Sequence, residues 1–595
     1  MKLIKFYTKN SDNKILRKKN LIISQLKKKN FSLNSSNIYL NEGCLPGTLI
    51  RNNFDRKLVP NYPHLKKKKI YKNYFYLLLI YDFFLKTISH KLNKIHNVNY
   101  SKNYWRVVIG PWLFMFISII FDNWNKLKYI KKKYSIGFVE IAKVNSSDFF
   151  FKDYNDFTYK SMTDSFNNSI YDDLLRFFNG HKINYFNSKK KNLDNNIYSK
   201  NILNIFLNLL KKLIILISNF LQKDTNAVFH GSYFDHKTSF LLQLKLKQIP
   251  TNYKSINIVY KFYNPAKRLQ KFKTLKDPFA KIIANLVFKY MPLSYLENYS
   301  YYLNRIFRIN WPKNPKFIFS SSSFYNDDFF KFWLAEKKEK FNTKLISGQH
   351  GGYFFTNKFM FFEKHQNDIS DSILTWGYNK KKCKSVFNFK TLNKKIKFNK
   401  NGKLLFIHYE PSRFSVIHSD SAGFSYLVYL KDQLNFISKL NKNIINELTF
   451  RKYPLNLGWK IDLIYLLKKK QINIFIDKNK KIDDTLRESR ICFVTLNSTV
   501  YLETLNLNFP TIIFFNIRND DVNKETIKYL NILKKVGVYF DNYEMAAKKI
   551  NEIWDNVDDW WYNKSVQKAV DLFCNKFSKR SKKNAVNKLY NSIIN

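Results

Sequence analysis

His350 stands in the run Gly348-Gln349-His350-Gly351-Gly352, so three of the chain's 14 glycines fall within five residues. Random placement puts roughly a tenth of a glycine there, and such density marks backbone that another group approaches closely. The run follows the strand-like Lys344–Ile346, which places the imidazole at a strand's carboxyl end. There it can take a proton from an attacking hydroxyl or hydrogen-bond a phosphate; a histidine that merely caps a strand end is the alternative. Gln349, Gly351 and Gly352 are expected to line the same cleft, with Glu363 and Asp371 further along.

A second corner, Asn497-Ser498-Thr499 with Glu503, lies between the apolar runs Ile491–Val494 and Thr511–Phe515. Hydroxyls and backbone N–H groups at a helix start suit a diphosphate, and Glu503, one turn on, suits ribose hydroxyls. An ordinary Ser/Thr cap with a solvated Glu reads the same. Arg413, in His408-Tyr409-Glu410-Pro411-Ser412-Arg413, and Arg451, before Lys452-Tyr453-Pro454, both follow strands and are candidate phosphate clamps.

The elements that must position these residues alternate strand and helix from about residue 226 onward, which predicts parallel, doubly wound sheets. The expected organisation is a loose basic arm over 1–35, an acceptor-side α/β domain over 36–378 and a linker over 379–401. A Rossmann-like donor-binding domain over 402–560 and a helical tail over 561–595 complete it. Extra helices precede the first domain's regular part, and Val107–Phe121 and Asn201–Leu221 are expected to be buried helices rather than membrane spans, which need about 20 uncharged apolar residues.

At 595 residues and 45% hydrophobic, the chain has material for two or three cores and is not disordered throughout. The net charge of +59 points toward nucleic acid or anionic membranes. Lys, however, outnumbers Arg about sixfold, whereas base and phosphate recognition draws on the Arg fork. High Lys, Asn, Ile, Phe and Tyr with low Gly, Ala and Pro is the profile of an A/T-rich genome. No specific nucleic acid is therefore expected, and peripheral contact with an anionic membrane remains. Cys44, Cys383, Cys492 and Cys574 form no metal or disulfide spacing, and Met1–Lys9 has no apolar signal region, so a cytoplasmic location is expected, with no metal site; peripheral contact at the inner membrane face is the alternative.

Several motifs together resemble a family assigned as transferases of bacterial surface-polysaccharide (O-antigen and capsule) gene clusters. They are Asn99-Tyr100, Tyr104-Trp105-Arg106, Gly110-Pro111-Trp112-Leu113, Asp327-Asp328 with Trp333, Ala335 and Glu336, and Gln349-His350-Gly351-Gly352 with Glu363. Ile369-Ser370-Asp371, Leu374-Thr375-Trp376-Gly377, Asn497-Ser498-Thr499, Leu502-Glu503 and Asn508–Ile512 complete the set, over roughly 75–560. Where related transferases carry Lys-x-His-Pro, this chain has Arg451-Lys452-Tyr453-Pro454. The resemblance implies a GT-B-like fold of two Rossmann-like domains facing a cleft, and no cofactor or metal beyond a nucleotide-activated donor. It implies transfer of a sugar from a nucleotide-sugar to a glycan or lipid-linked acceptor, or of a polyol phosphate from a CDP-activated donor. A non-catalytic basic protein that binds nucleic acid or membrane is the reading from a different class.

Overall fold

Parallel strands make up all three sheets of the computed structural model, as the strand–helix alternation predicts. It describes residues 18–26, 37–46, 58–144, 149–178, 182–187, 223–256, 258, 262–415, 425–455, 457–459, 461–479, 481–516, 522–581 and 584–595. The expected helix Asn201–Leu221 lies outside these residues.

The first sheet has the order β2-β1-β3-β4, built from β1 (Lys19–Ile22), β2 (Asn37–Tyr39), β3 (Ile136–Lys143) and β4 (Ile183–Asn187). Its strand β1 falls inside the stretch 1–35 expected to be a loose arm. The correction has a plain cause: Leu21, Ile22 and Ile23 are an apolar island in the Lys-rich run, and they bury in the core. Between β2 and β3 rise two long helices, α1 (Lys67–His96) and α2 (Lys102–Lys133). Ser101 caps α2 by accepting from Tyr104 N–H, and three lysines close it where the helix dipole favours cations. Its most apolar window is 94% buried, so the one described helix apolar and long enough to span a membrane is a core pillar. It touches α3 (Asp164–Phe177) on one side and α5 (Asp328–Phe341) and α6 (Phe361–Ile369) on the other, joining the first sheet to the second. Gly110 allows the close approach: a Cβ there would stand 2.8 Å from the Tyr81 hydroxyl.

The second sheet runs β5-β6-β7-β8-β9: Val228–Phe229, Ile318–Ser320, Leu345–Gly348, Ser372–Thr375 and Cys383–Ser385. The domain expected over 36–378 therefore holds two sheets. Strand β9 lies within the stretch read as linker, and Phe387, Phe389, Leu392 and Ile396 after it are buried. The lysines that gave this segment its linker-like composition alternate with those apolar anchors.

The third sheet has the order β12-β11-β10-β13-β14-β15, with β10 (Lys403–Ile407), β11 (Leu448–Arg451), β12 (Phe475–Ile476), β13 (Ser489–Val494), β14 (Thr511–Phe514) and β15 (Tyr539–Phe540). Relabelled within the domain this is 3-2-1-4-5-6, the Rossmann order, whose switch point lies between β10 and β13. The chain is thus mixed α/β, with two Rossmann-like halves meeting at their strands' carboxyl ends. The tail is helical, and α10 (Ala585–Ile594) crosses back to lie on α4 (His236–Lys245), with Lys384 Nζ donating to Ser592 O at 3.3 Å.

Candidate functional site

The two corners read from the sequence meet. Gly352 N–H donates to Thr499 Oγ1 at 3.0 Å, and a Cβ on Gly352 would lie 2.5 Å from the Ser498 backbone. Only glycine fits, because the obstruction is main chain and cannot turn aside. Asn497 is a clasp between the halves rather than a free donor contact: its amide donates to Asn357 Oδ1 at 2.8 Å and accepts from the Tyr501 hydroxyl at 2.7 Å. Ser498 precedes helix α8 (Thr499–Asn506) as its N-cap without making a capping bond, and its Oγ is buried with no hydrogen-bond partner. The start of α8, at the switch point of the third sheet, therefore receives no side-chain cap from Ser498.

His350 sits opposite. Its Nδ1 is 3.2 Å from the Ser321 carbonyl and 3.0 Å from the Tyr233 hydroxyl. A carbonyl only accepts, so it holds the proton on Nδ1 and leaves the Nε2 lone pair open. Burial, then the nearby Lys390 charge, lowers the pKa to about 4, so the ring is neutral at physiological pH.

Lys390 is the residue that sequence reasoning missed. It comes from the stretch read as linker, and its ammonium lies 4.5 Å from the Tyr233 ring centroid and 6.0 Å from that of Trp376. Burial pulls its pKa down and Glu503 opposes this, while burial pushes the Glu503 carboxyl up against the charges of Lys390 and Lys394. Lys394 is committed to Asp483 at 2.9 Å, whereas the Lys390 ammonium and the Glu503 carboxylate have no hydrogen bond among the described residues. One of 103 basic residues in a Lys-rich segment carries no local signal. Tyr233, held at φ +63° after Gly231-Ser232, carries no sequence signal either. His350, Tyr233, Lys390, Glu503 and the start of α8 thus share one seam.

Five other candidates are spent on structural contacts. Arg413 is not a phosphate clamp: it ion-pairs with Asp164 and donates to the carbonyls of Leu457 at 3.2 Å and Gly43 at 3.3 Å, spanning to the first sheet. Arg451 is spent on Asp477, the Asn479 carbonyl at 3.1 Å and Thr485 Oγ1 at 3.2 Å. Asp371 accepts from Leu345 N–H at 2.8 Å and pairs with Lys338, at the amino end of β7 and so away from the corner. Gln349 is 2% exposed and braces the turn, accepting from Trp376 N–H at 2.9 Å and donating to Gly351 O at 3.2 Å.

Glu363 holds the loop behind the corner by accepting from Phe355 N–H at 2.8 Å, and burial raises its pKa to about 7. A carboxyl with a raised folded-state pKa stabilises the protein below its unfolded value near 4.5, and that contribution is lost as pH rises through about 7. Glu363→Gln keeps the acceptor without the charge. Thermal melts should show the variant gaining on wild type between pH 5 and 8 by on the order of 2 kcal/mol. Parallel melting curves across that range would show that the carboxyl titrates normally.

No group of three His, Cys, Asp or Glu side chains is placed to hold a metal among the described residues. No functionally curated protein matches the sequence. Among solved structures, the 2.2 Å crystal structure of a protein assigned as a UDP-N-acetylglucosamine 2-epimerase from Listeria monocytogenes is 13% identical. The match covers 62% of this chain and 96% of that one, with a TM-score of 0.37. A family profile described as LIC12162 family transferase matches residues 20–593, essentially the whole fold including both corners. The chain belongs to the LIC12162 family of transferases.

Proposed function

We propose that the protein transfers a sugar from a nucleotide-activated donor to a hydroxyl of a glycan or lipid-linked acceptor in surface-polysaccharide assembly. The observation that carries this reading is the uncapped start of α8 at the switch point, with Lys390 interacting electrostatically with Glu503 on that helix and the open Nε2 of His350 opposite. The diphosphate lies at the helix start, where N–H groups and the Lys390 ammonium stabilise the charge that develops as the donor bond breaks. Glu503 accepts from ribose hydroxyls. His350 Nε2 takes the acceptor hydroxyl's proton as its oxygen attacks the anomeric carbon, and the nucleoside diphosphate leaves. Because Gly352 abuts Ser498, the donor is admitted as the halves part.

Thermal-shift screening of nucleotide-sugars and CDP-polyols, then calorimetry, tests the reading. Glu503→Ala and Lys390→Met should each weaken the nucleotide by about 1.5–3 kcal/mol, the worth of a charge-assisted hydrogen bond. Ser498→Ala should cost less, since backbone N–H groups remain. Wild-type affinity in both charged-residue variants would move the donor elsewhere.

A further inference from the structure

Helix α1 buries Leu77, Phe84, Leu85, Ile88 and Leu92, yet its outer face is not polar. Tyr71, Phe75, Leu79 and Phe83 recur every fourth residue and are 45%, 47%, 72% and 45% exposed. At 1.5 Å per residue they form a stripe about 18 Å long on one side of the helix. Exposed lysines stand before, among and after them: Lys66 to Lys69, Lys72 and Lys86. The acid on this face, Asp82, is neutralised by Lys102 at 2.6 Å. A neighbouring loop continues the pattern, with Phe262 71% and Leu269 82% exposed beside the exposed Lys271, Lys273 and Lys276. It is held to α1 by Lys91 Nζ donating to Lys271 O at 2.6 Å and by Tyr76 donating to Asp277 at 3.0 Å.

We infer that this face of α1, with the 262–276 loop, docks on an anionic lipid bilayer. Large apolar side chains interleaved with lysines on an exposed helix face suit the headgroup boundary, where rings sink below the phosphates and lysine stems reach up to them. A protein partner fits less well, because interface cores are depleted in lysine. The stripe also begins at the candidate site's own loop. Tyr71 packs on Phe359 at 4.9 Å between ring centroids, and Lys358 Nζ is 4.7 Å from the Tyr71 ring. Phe359 ends the loop that His350 and Gly352 open, and Asn357 in that loop is the one clasped by Asn497. Docking therefore sets the seam close to a membrane-held acceptor.

The test is co-sedimentation of the full chain with vesicles of phosphatidylcholine alone or mixed with phosphatidylglycerol. The mixed vesicles should bind and the neutral ones should not. Phe75→Ser/Leu79→Ser/Phe83→Ser leaves the net charge at +59 and should weaken binding at least about tenfold. Lys68→Glu/Lys72→Glu should do the same. If the triple variant melts early, Leu79→Ser, at the most exposed position, should still weaken binding about threefold. Wild-type binding by a folded apolar variant would assign the attraction to diffuse charge and overturn the proposal. So would equal binding to neutral vesicles, or a concentration-dependent dimer that the triple variant abolishes, which would make a second copy the occupant. No donor is present in this assay, so its failure leaves the transfer reading standing, and the reverse holds too.

Discussion

Replacing His350 with alanine is expected to lower kcat by roughly 10²–10⁴, the usual worth of general acid–base help, with the melting temperature nearly unchanged. The backbone around it is shaped by Gly348, Gly351 and Gly352 rather than by the ring, so the corner survives without an imidazole. The ring is already neutral: with its pKa lowered to about 4 by burial first and Lys390 second, it is a competent acceptor at every pH above that. The acid limb of the rate profile that belongs to His350 should accordingly fall near pH 4 and not near 6.5. The folded-state pKa is depressed, so its stability contribution is present above the unfolded value of 6.5 and lost as pH falls through about 4. His350→Asn separates two roles, because an amide can still donate toward the Ser321 carbonyl but cannot take a proton. Both variants should lose kcat with little change in KM. A stable variant turning over at the wild-type rate would remove His350 from the chemistry and leave it a positioning group for Tyr233.

Both corners were legible in the sequence because their signals are local. Glycine density before Gly352 and a Ser/Thr-Asn cluster after an apolar run each need only a few residues to be seen. What was not legible depends on distant partners. Arg413 and Arg451 follow strands, and a strand-end arginine looks the same whether it meets a phosphate or a carboxylate. Arg413 meets Asp164, 249 residues away, and Arg451 meets Asp477 in the loop after the neighbouring strand. Asp371 shares β8's amino end with Leu345, so it lies on the wrong edge of the sheet, a fact fixed by strand register and invisible to motif spacing. The third sheet's repeating strand–helix pattern could be followed, whereas β1 and β9 are four- and three-residue strands in Lys-rich surroundings, too short for a period to emerge. Lys390 hid for the same reason.

Arg413→Leu is expected to destabilise the protein by about 3–5 kcal/mol while leaving nucleotide affinity unchanged. The guanidinium is 7% and its Asp164 partner 15% exposed, so the pair is shielded from water on both sides. Without the arginine, Asp164 keeps only the Gln25 N–H at 2.8 Å among the described residues, and the Gly43 and Leu457 carbonyls lose a donor each. A carboxylate left buried without its cation is costlier than the pair was favourable. The double change Arg413→Leu/Asp164→Leu should therefore recover part of the loss, and denaturant melts of the three variants supply the cycle. The opposite pattern, a normal melt with weakened nucleotide binding, would restore Arg413 as a phosphate clamp. The expected pattern has a consequence for the seam. Glu42, on the same edge of the first sheet, accepts from Ser425 Oγ and Leu427 N–H at the start of α7 (Tyr426–Ser438). Arg413 and Glu42 therefore dock the first sheet onto the domain of the third sheet at the β10 side of the switch point. The β13 side, where α8 begins, is left to meet the His350 corner, and that is the half of the switch point the proposed transfer reading uses.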